Sequence, residues 1–210
     1  DPLSALVTLG LPSDFDFERV KDIYQGIQER AAMFGVSVSG GETVRSTQGV
    51  FLSISMVGWV PQGRLLLRKN MRPADALFVT GDLGGSRSGK HLDFIPRIEQ
   101  AKWLADRFEI HALMDVSDGL AGDLQRLIEA SGLGIELLSE AIPVSKEAKK
   151  AAQQGGASAL NRALSDGEDF ELLFTVPASG AVELLDAWKE RFPDLKLSCI
   201  GKVVPEKEIR

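Results

Sequence analysis

The chain has 210 residues, of which 44% are hydrophobic, so it is long enough for one large or two small folded domains and too apolar for disorder to dominate. Lys and Arg total 24 against 30 Asp and Glu, and the resulting net charge of −6 argues against a nucleic-acid surface, which needs a basic stripe. A single cysteine, Cys199, excludes an internal disulfide and a thiolate zinc centre, and with only His91 and His111 any site must rest on carboxylates, hydroxyls, backbone N–H groups and arginine.

Residues 3–9 read as a strand. Val20, Ile23, Tyr24, Ile27 and Ala31 then recur at helical spacing. Asp14 or Asp16 is placed to cap that helix and Gly35 to end it. Residues 36–38 read as a short strand, Ser39-Gly40-Gly41-Glu42-Thr43 as a turn, and 50–60 as a strand in which Leu52, Ile54 and Met56 alternate with Ser53 and Ser55. Pro61-Gln62-Gly63-Arg64 breaks the pattern and sets the expected boundary between a domain at 1–62 and another at 63–210. In the second part, strands are expected over 77–80, 112–116, 135–138, 171–176 and 197–204. Helices are expected over 98–108, 120–131, 145–154 and 180–192. Strands and helices mix throughout, which is the α/β (α+β) class. No stretch approaches the ~20 apolar residues of a membrane span, and the lone cysteine suits a reducing cytoplasm.

Four segments have the composition of a site. In Met114-Asp115-Val116-Ser117-Asp118-Gly119-Leu120 an apolar strand ends in two carboxylates and a hydroxyl just before a helix. Asp115 and Ser117, two apart, share one face of the strand. Asp118 occupies an N-cap position. The helix start offers N–H groups to phosphate, and paired carboxylates suit Mg²⁺ beside phosphate oxygens. The plain alternative is a capping Asp118 and a surface Asp115. Asp166-Gly167-Glu168-Asp169-Phe170-Glu171 crowds four acidic residues ahead of an apolar strand. Such a run repels itself unless solvent or cations relieve it. Gly40-Gly41-Glu42 lets backbone approach a ligand closely, although glycine pairs also make ordinary turns. Gly84 to Lys90 fits G-x-x-x-x-G-K, but His91 replaces the Ser or Thr of a P-loop and Leu92-Asp93-Phe94-Ile95-Pro96 is a poor helix start. A loop near a ligand, or an ordinary loop, is the better reading. The basic patch Arg64, Arg68, Lys69 and Arg72 is either a solvated linker or a clamp for triphosphate charge. Tyr24, on the apolar stripe, is either core or a base-stacking ring. A serine hydrolase triad using His91 or His111 lacks its G-x-S-x-G elbow.

Gly40-Gly41-Glu42-Thr43-Val44-Arg45-Ser46, Gly63-Arg64-Leu65-Leu66-Leu67-Arg68, Arg72-Pro73-Ala74-Asp75 and Thr80-Gly81-Asp82-Leu83-Gly84-Gly85-Ser86 occur in that order, followed by the segments at 114–120 and 166–174. The pattern resembles the thiamine-monophosphate kinase family, within the aminoimidazole ribonucleotide synthetase-like superfamily. The resemblance implies a two-domain fold, with the remainder of an N-terminal α/β domain, dimerising and ATP-binding, followed by a C-terminal α/β domain. It also implies direct Mg²⁺-assisted transfer of phosphate from ATP to thiamine monophosphate in the cleft between them. By carry-over, Asp115 and Asp118 are the catalytic residues, and Glu42, Asp115 and Asp118 ligate Mg²⁺. Gly41, Glu42, Arg68 and Ser117 contact ATP, Tyr24 lies near the nucleotide, and Glu168 meets the cationic thiamine end. A homodimer is implied, with no nucleic-acid or membrane partner. Two departures stand out: Glu42 replaces the family's usual Asp, and Asp166-Gly167 its usual Gly-Gly. The family's N-terminal Gly-Asp-Asp-Ala and Ser-Asp segments do not occur in these residues, so the chain is expected to be the later part of a longer protein. Two other readings remain: a superfamily relative with another substrate (aminoimidazole ribonucleotide or selenophosphate synthetase-like), and an inactive nucleotide-binding homologue.

Overall fold

The computed structural model describes residues 1–209. The chain forms two compact units, Asp1–Gly63 and Arg64–Arg210.

In the first unit, β1 (Pro2–Leu11) is the central strand, flanked by β2 (Ser37–Arg45) and β3 (Phe51–Gly58) in the order β2-β1-β3. α1 (Phe17–Met33) carries the chain from β1 to the parallel β2, a crossover that parallel pairing requires. Of the two cap candidates Asp16 takes the role, its carboxylate accepting from the Glu18 N–H at 3.0 Å. The expected stripe on α1 is present but only half-buried, and no residue of the helix is fully buried.

The expected turn at 39–43 is instead part of β2, with Val7 paired to Gly41 and Thr8 to Glu42. The reason is steric: a Cβ at Gly41 would lie 1.8 Å from the Val7 carbonyl oxygen, and its φ of +153° suits glycine. The glycine pair therefore permits close strand approach rather than reversal. Ala5, Val7 and Leu9 point inward from β1, whereas every residue of β3 is exposed.

The second unit is built on a five-stranded sheet ordered β5-β7-β4-β8-β6. Its strands are β4 (Ala76–Thr80), β5 (Ala112–Val116), β6 (Gly134–Leu137), β7 (Glu171–Val176) and β8 (Leu197–Val204). Every ladder between them is antiparallel, which makes this unit α+β. Its helices are α2 (Ile98–Arg107), α3 (Leu120–Ser131), α4 (Lys146–Gln153), α5 (Ala159–Ser165) and α6 (Ala181–Arg191). Alternate residues of the strands feed two cores. Leu77, Val79, Met114, Val116 and Leu173 pack with Leu120, Leu124 and Leu127 of α3. On the opposite face Phe78, Leu172, Phe174 and Val176 pack with Leu104 of α2 and with Leu184 and Trp188 of α6. β7 is buried along its whole length, so its entry is fixed from both sides. α5 has no counterpart among the expected elements. It is seven residues long, too short for a periodic stripe, and starts at Ser158, whose hydroxyl accepts from the Asn161 N–H at 3.1 Å.

Candidate functional site

β5 ends where β7 begins, because the two strands pair antiparallel with Val116 opposite Glu171. The two acidic segments, 50 residues apart in sequence, therefore meet at one sheet end. The Phe170 N–H donates to the Val116 carbonyl at 2.8 Å and the Glu168 N–H to the Ser117 carbonyl at 2.7 Å. Gly167 permits this approach: a Cβ there would lie 2.8 Å from the Ser117 carbonyl oxygen. Glu168 (φ +57°) and Phe170 (φ +52°) both adopt the left-handed conformation, which non-glycine residues seldom hold outside constrained sites.

Asp115 is exposed in β5 between buried Met114 and Val116, and half-buried Ser117 follows the end of the strand. Asp118 is exposed, and Arg126 of α3 reaches its carboxylate. The expected cap is corrected here. Gly119, not Asp118, is the N-cap of α3 and contributes no side chain. Asp123, buried in the first turn, takes over: its Oδ2 accepts from the N–H groups of Ser117 (2.9 Å) and Asp118 (3.0 Å), and its Oδ1 meets Arg126. These two N–H groups are thus not available to phosphate, which leaves the first-turn donors of α3 itself and its positive dipole end. Sequence reasoning missed Asp123. Its signal was an acidic residue in the first turn of a helix, where it complements the dipole.

The acidic run is not a solvated turn. Asp169 accepts from the Gly84 N–H at 3.0 Å with each carboxylate oxygen and from the Ser86 hydroxyl. Asp166 accepts from the Gly85 N–H at 3.0 Å. The P-loop-like segment thus spends its Gly84 and Gly85 N–H donors on carboxylates of its own chain, and two 3₁₀ turns, Ser86–Ser88 and Lys90–Leu92, stand where a P-loop has an α-helix. Glu171, 1% exposed, lies in the fork of Arg97 with both contacts at 2.8 Å, and also accepts from the Thr80 hydroxyl at 2.8 Å. Burial pushes the Glu171 carboxyl up, but Arg97, Lys90 and Thr80 outweigh it and hold it below the usual carboxylate value. For Asp169, burial prevails over Ser86, Gly84 and Lys90, and the carboxyl is raised. Glu168 differs from these neighbours: it is half-buried and no described residue pairs with its carboxylate.

Of the basic patch, Arg64 is engaged by the Ala105 carbonyl and Asp106, and Arg72 by Glu109. Arg68 and Lys69 have no described partner and line an open depression of about 490 Å³ together with Asp115, Leu113 and Met114. The structure therefore brings Asp115, Ser117, Asp118 and Glu168 to one sheet end, with Arg68 lining a depression beside Asp115. Gly41 and Glu42 lie on β2 and half-buried Tyr24 on α1, all in the first unit. Neither histidine faces a serine hydroxyl: His111 bridges Asp75 and Glu109, and His91 Nδ1 contacts the Ser86 carbonyl oxygen.

Asp115, Ser117 and Asp118 offer oxygen donors alone, a chemistry that suits a hard divalent cation such as Mg²⁺, and the Asp118 carboxylate is held by Arg126. Among the described residues no group of three or more His, Cys, Asp or Glu is placed to hold an ion. No helix among the described residues is long and apolar enough to cross a membrane.

The family models for AIR synthase related protein match this chain, the N-terminal domain over residues 1–60 and the C-terminal domain over 75–210. A thiamine-monophosphate kinase of Rhodopirellula baltica is 41% identical over 97% of this chain and 62% of its own length. That of Aquifex aeolicus is 33% identical over 96% of this chain and 68% of its own. The chain thus spans less than two thirds of the first of these relatives. A solved structure described as AaThiL complexed with AMPPCP and TMP superposes with a TM-score of 0.81 at 32% identity, covering 100% of this chain and 69% of that one.

Proposed function

The chain belongs to the AIR synthase related family, among its thiamine-monophosphate kinases, and on that premise we propose that its gene product transfers the terminal phosphate of ATP to thiamine monophosphate, giving thiamine diphosphate and ADP. The observation that carries this reading is the meeting of the two acidic turns: exposed Asp115 and Asp118 sit at one strand end, beside a half-buried Glu168 without a described partner. The relative that holds AMPPCP and TMP supports the same pairing of ligands.

Phosphoryl transfer asks a protein chiefly to position its reactants and neutralise charge. Asp115 and Asp118 would hold Mg²⁺, which supplies charge neutralisation on the phosphates. Ser117 and Arg68 would contact the nucleotide, Arg68 as a fork for phosphate oxygens. The Glu168 carboxylate would meet the cationic end of thiamine. Gly41 and Glu42 would serve ATP and the metal, with Tyr24 near the nucleotide. The reaction is placed in the cytoplasm. A homodimer is proposed through the exposed apolar residues of β3, among them Leu52, Ile54 and Met56.

The test is the full gene product incubated with thiamine monophosphate, ATP and Mg²⁺. Formation of thiamine diphosphate is expected, and its absence would overturn the proposal. Asp115→Asn and Asp118→Asn are each expected to lower turnover by about a hundredfold or more; rates near the wild type would remove their metal role. A monomeric mass by light scattering would remove the dimer.

A further inference from the structure

Residues 90–97 contain no α-helix or strand, yet they touch the acidic turn at three places. Lys90 Nζ lies 3.2 Å from Glu171 and 3.9 Å from Asp169, and also donates to the Asp82 carbonyl at 2.8 Å. The Phe94 ring stacks on Phe170 with centroids 4.1 Å apart and planes 25° from parallel. Arg97 grips Glu171 through two parallel hydrogen bonds of 2.8 Å. The segment is a strap laid across 169–171.

Burying carboxylates as fully as Asp169 and Glu171, each 1% exposed, is unfavourable before any partner is counted. Apolar side chains would close the start of β7 more cheaply. What the charged arrangement adds is direction: an Arg–carboxylate fork fixes distance and angle together. It fixes them next to two residues held in the left-handed conformation, Glu168 and Phe170. Among the described residues Glu168 itself is tied only by its backbone, to Ser117.

We propose that Arg97 and Phe94 are positioning residues: through Glu171 and Phe170 they hold the turn that aims the Glu168 carboxylate at the organic, cationic end of the phosphate-bearing substrate. This rests on the proposed role of Glu168. The strap acts on substrate recognition and leaves ATP, which is assigned to other residues, untouched.

The test measures initial rates of the full gene product against thiamine monophosphate and ATP separately, for Arg97→Lys, Phe94→Leu and Glu168→Gln. Arg97→Lys keeps the charge and loses the fork. Both strap variants are expected to raise KM for thiamine monophosphate by about tenfold and leave KM for ATP unchanged. The double variant Arg97→Lys/Glu168→Gln is expected to be no worse than Glu168→Gln alone, because the strap works through that carboxylate. Parallel changes in both KM values and kcat would make the strap a plain stability element and overturn the proposal. So would normal strap variants beside an impaired Glu168→Gln. A Glu168→Gln protein with normal kinetics would instead remove the role of Glu168, and the strap's role with it. Should Arg97→Lys fail to fold, Phe94→Leu decides alone.

Discussion

At the residue scale the acidic turn sets four carboxylates to different tasks. Glu171 is held below its ordinary value of 4.5, so its contribution to stability is complete above that pH and is lost as pH falls through the lowered value. Asp169 is raised above its ordinary 3.8, so its contribution is complete below 3.8 and is lost as pH rises through the raised value. The two therefore pull the stability curve in opposite directions. Glu171→Gln leaves Arg97 and Lys90 facing a neutral amide and is expected to cost about 3–5 kcal/mol at neutral pH, with a flattened loss below pH 4.5. Asp169→Asn is expected to cost less at neutral pH and to retain more stability on moving from pH 4 to 7. Melting temperatures across that range check both, and equal effects at all pH values would contradict the assignment. In the sequence these residues are indistinguishable members of one acidic run. Their partners, Gly84, Ser86, Lys90 and Arg97, lie 74 to 85 positions or so upstream, and no local pattern names them.

At the element scale, the strands and helices of the second unit other than the short α5 were readable from their periodicity, because alternate residues of each strand feed opposite cores. The errors fell at segments whose conformation is set by a neighbour. Gly40-Gly41 reads as a turn until β1 lies against it, and Asp118 reads as a cap until Asp123 takes the two N–H groups ahead of α3. That second substitution has a measurable consequence. Asp123 is fully buried and joins the turn at 117–118 to Arg126, so Asp123→Ala would orphan two N–H groups and leave Arg126 with Asp118 as its remaining described partner. A loss of about 3 kcal/mol is expected by denaturant titration. Asp118→Ala, which removes only an exposed partner of Arg126, is expected to leave stability within about 0.5 kcal/mol. If the two variants melt alike, Asp123 does not hold the turn at 117–118.

At the scale of the molecule, the two units differ in how well each closes its own core. Residues 64–210 surround a five-stranded sheet with helices on both faces and bury Trp188, Phe78, Phe174 and a run of leucines completely. Residues 1–63 offer one three-stranded sheet and one helix, bury Ala5, Val7 and Leu9, and leave Leu52, Ile54, Met56, Val57 and Trp59 exposed. The exposed apolar residues Leu52, Ile54 and Met56, which share one face of β3, suit an association surface, and a unit of this size is marginal on its own. Residues 64–210 expressed alone are therefore expected to unfold in one cooperative transition, with the buried Trp188 reporting by near-ultraviolet dichroism. Residues 1–63 expressed alone are expected to aggregate or to show no sigmoidal melt. The stability of the first unit is not legible from its own sequence, since it depends on what covers β3. A cooperative, monomeric 1–63 fragment would show that the sheet needs no cover, and would remove the apolar face of β3 as the argument for a dimer.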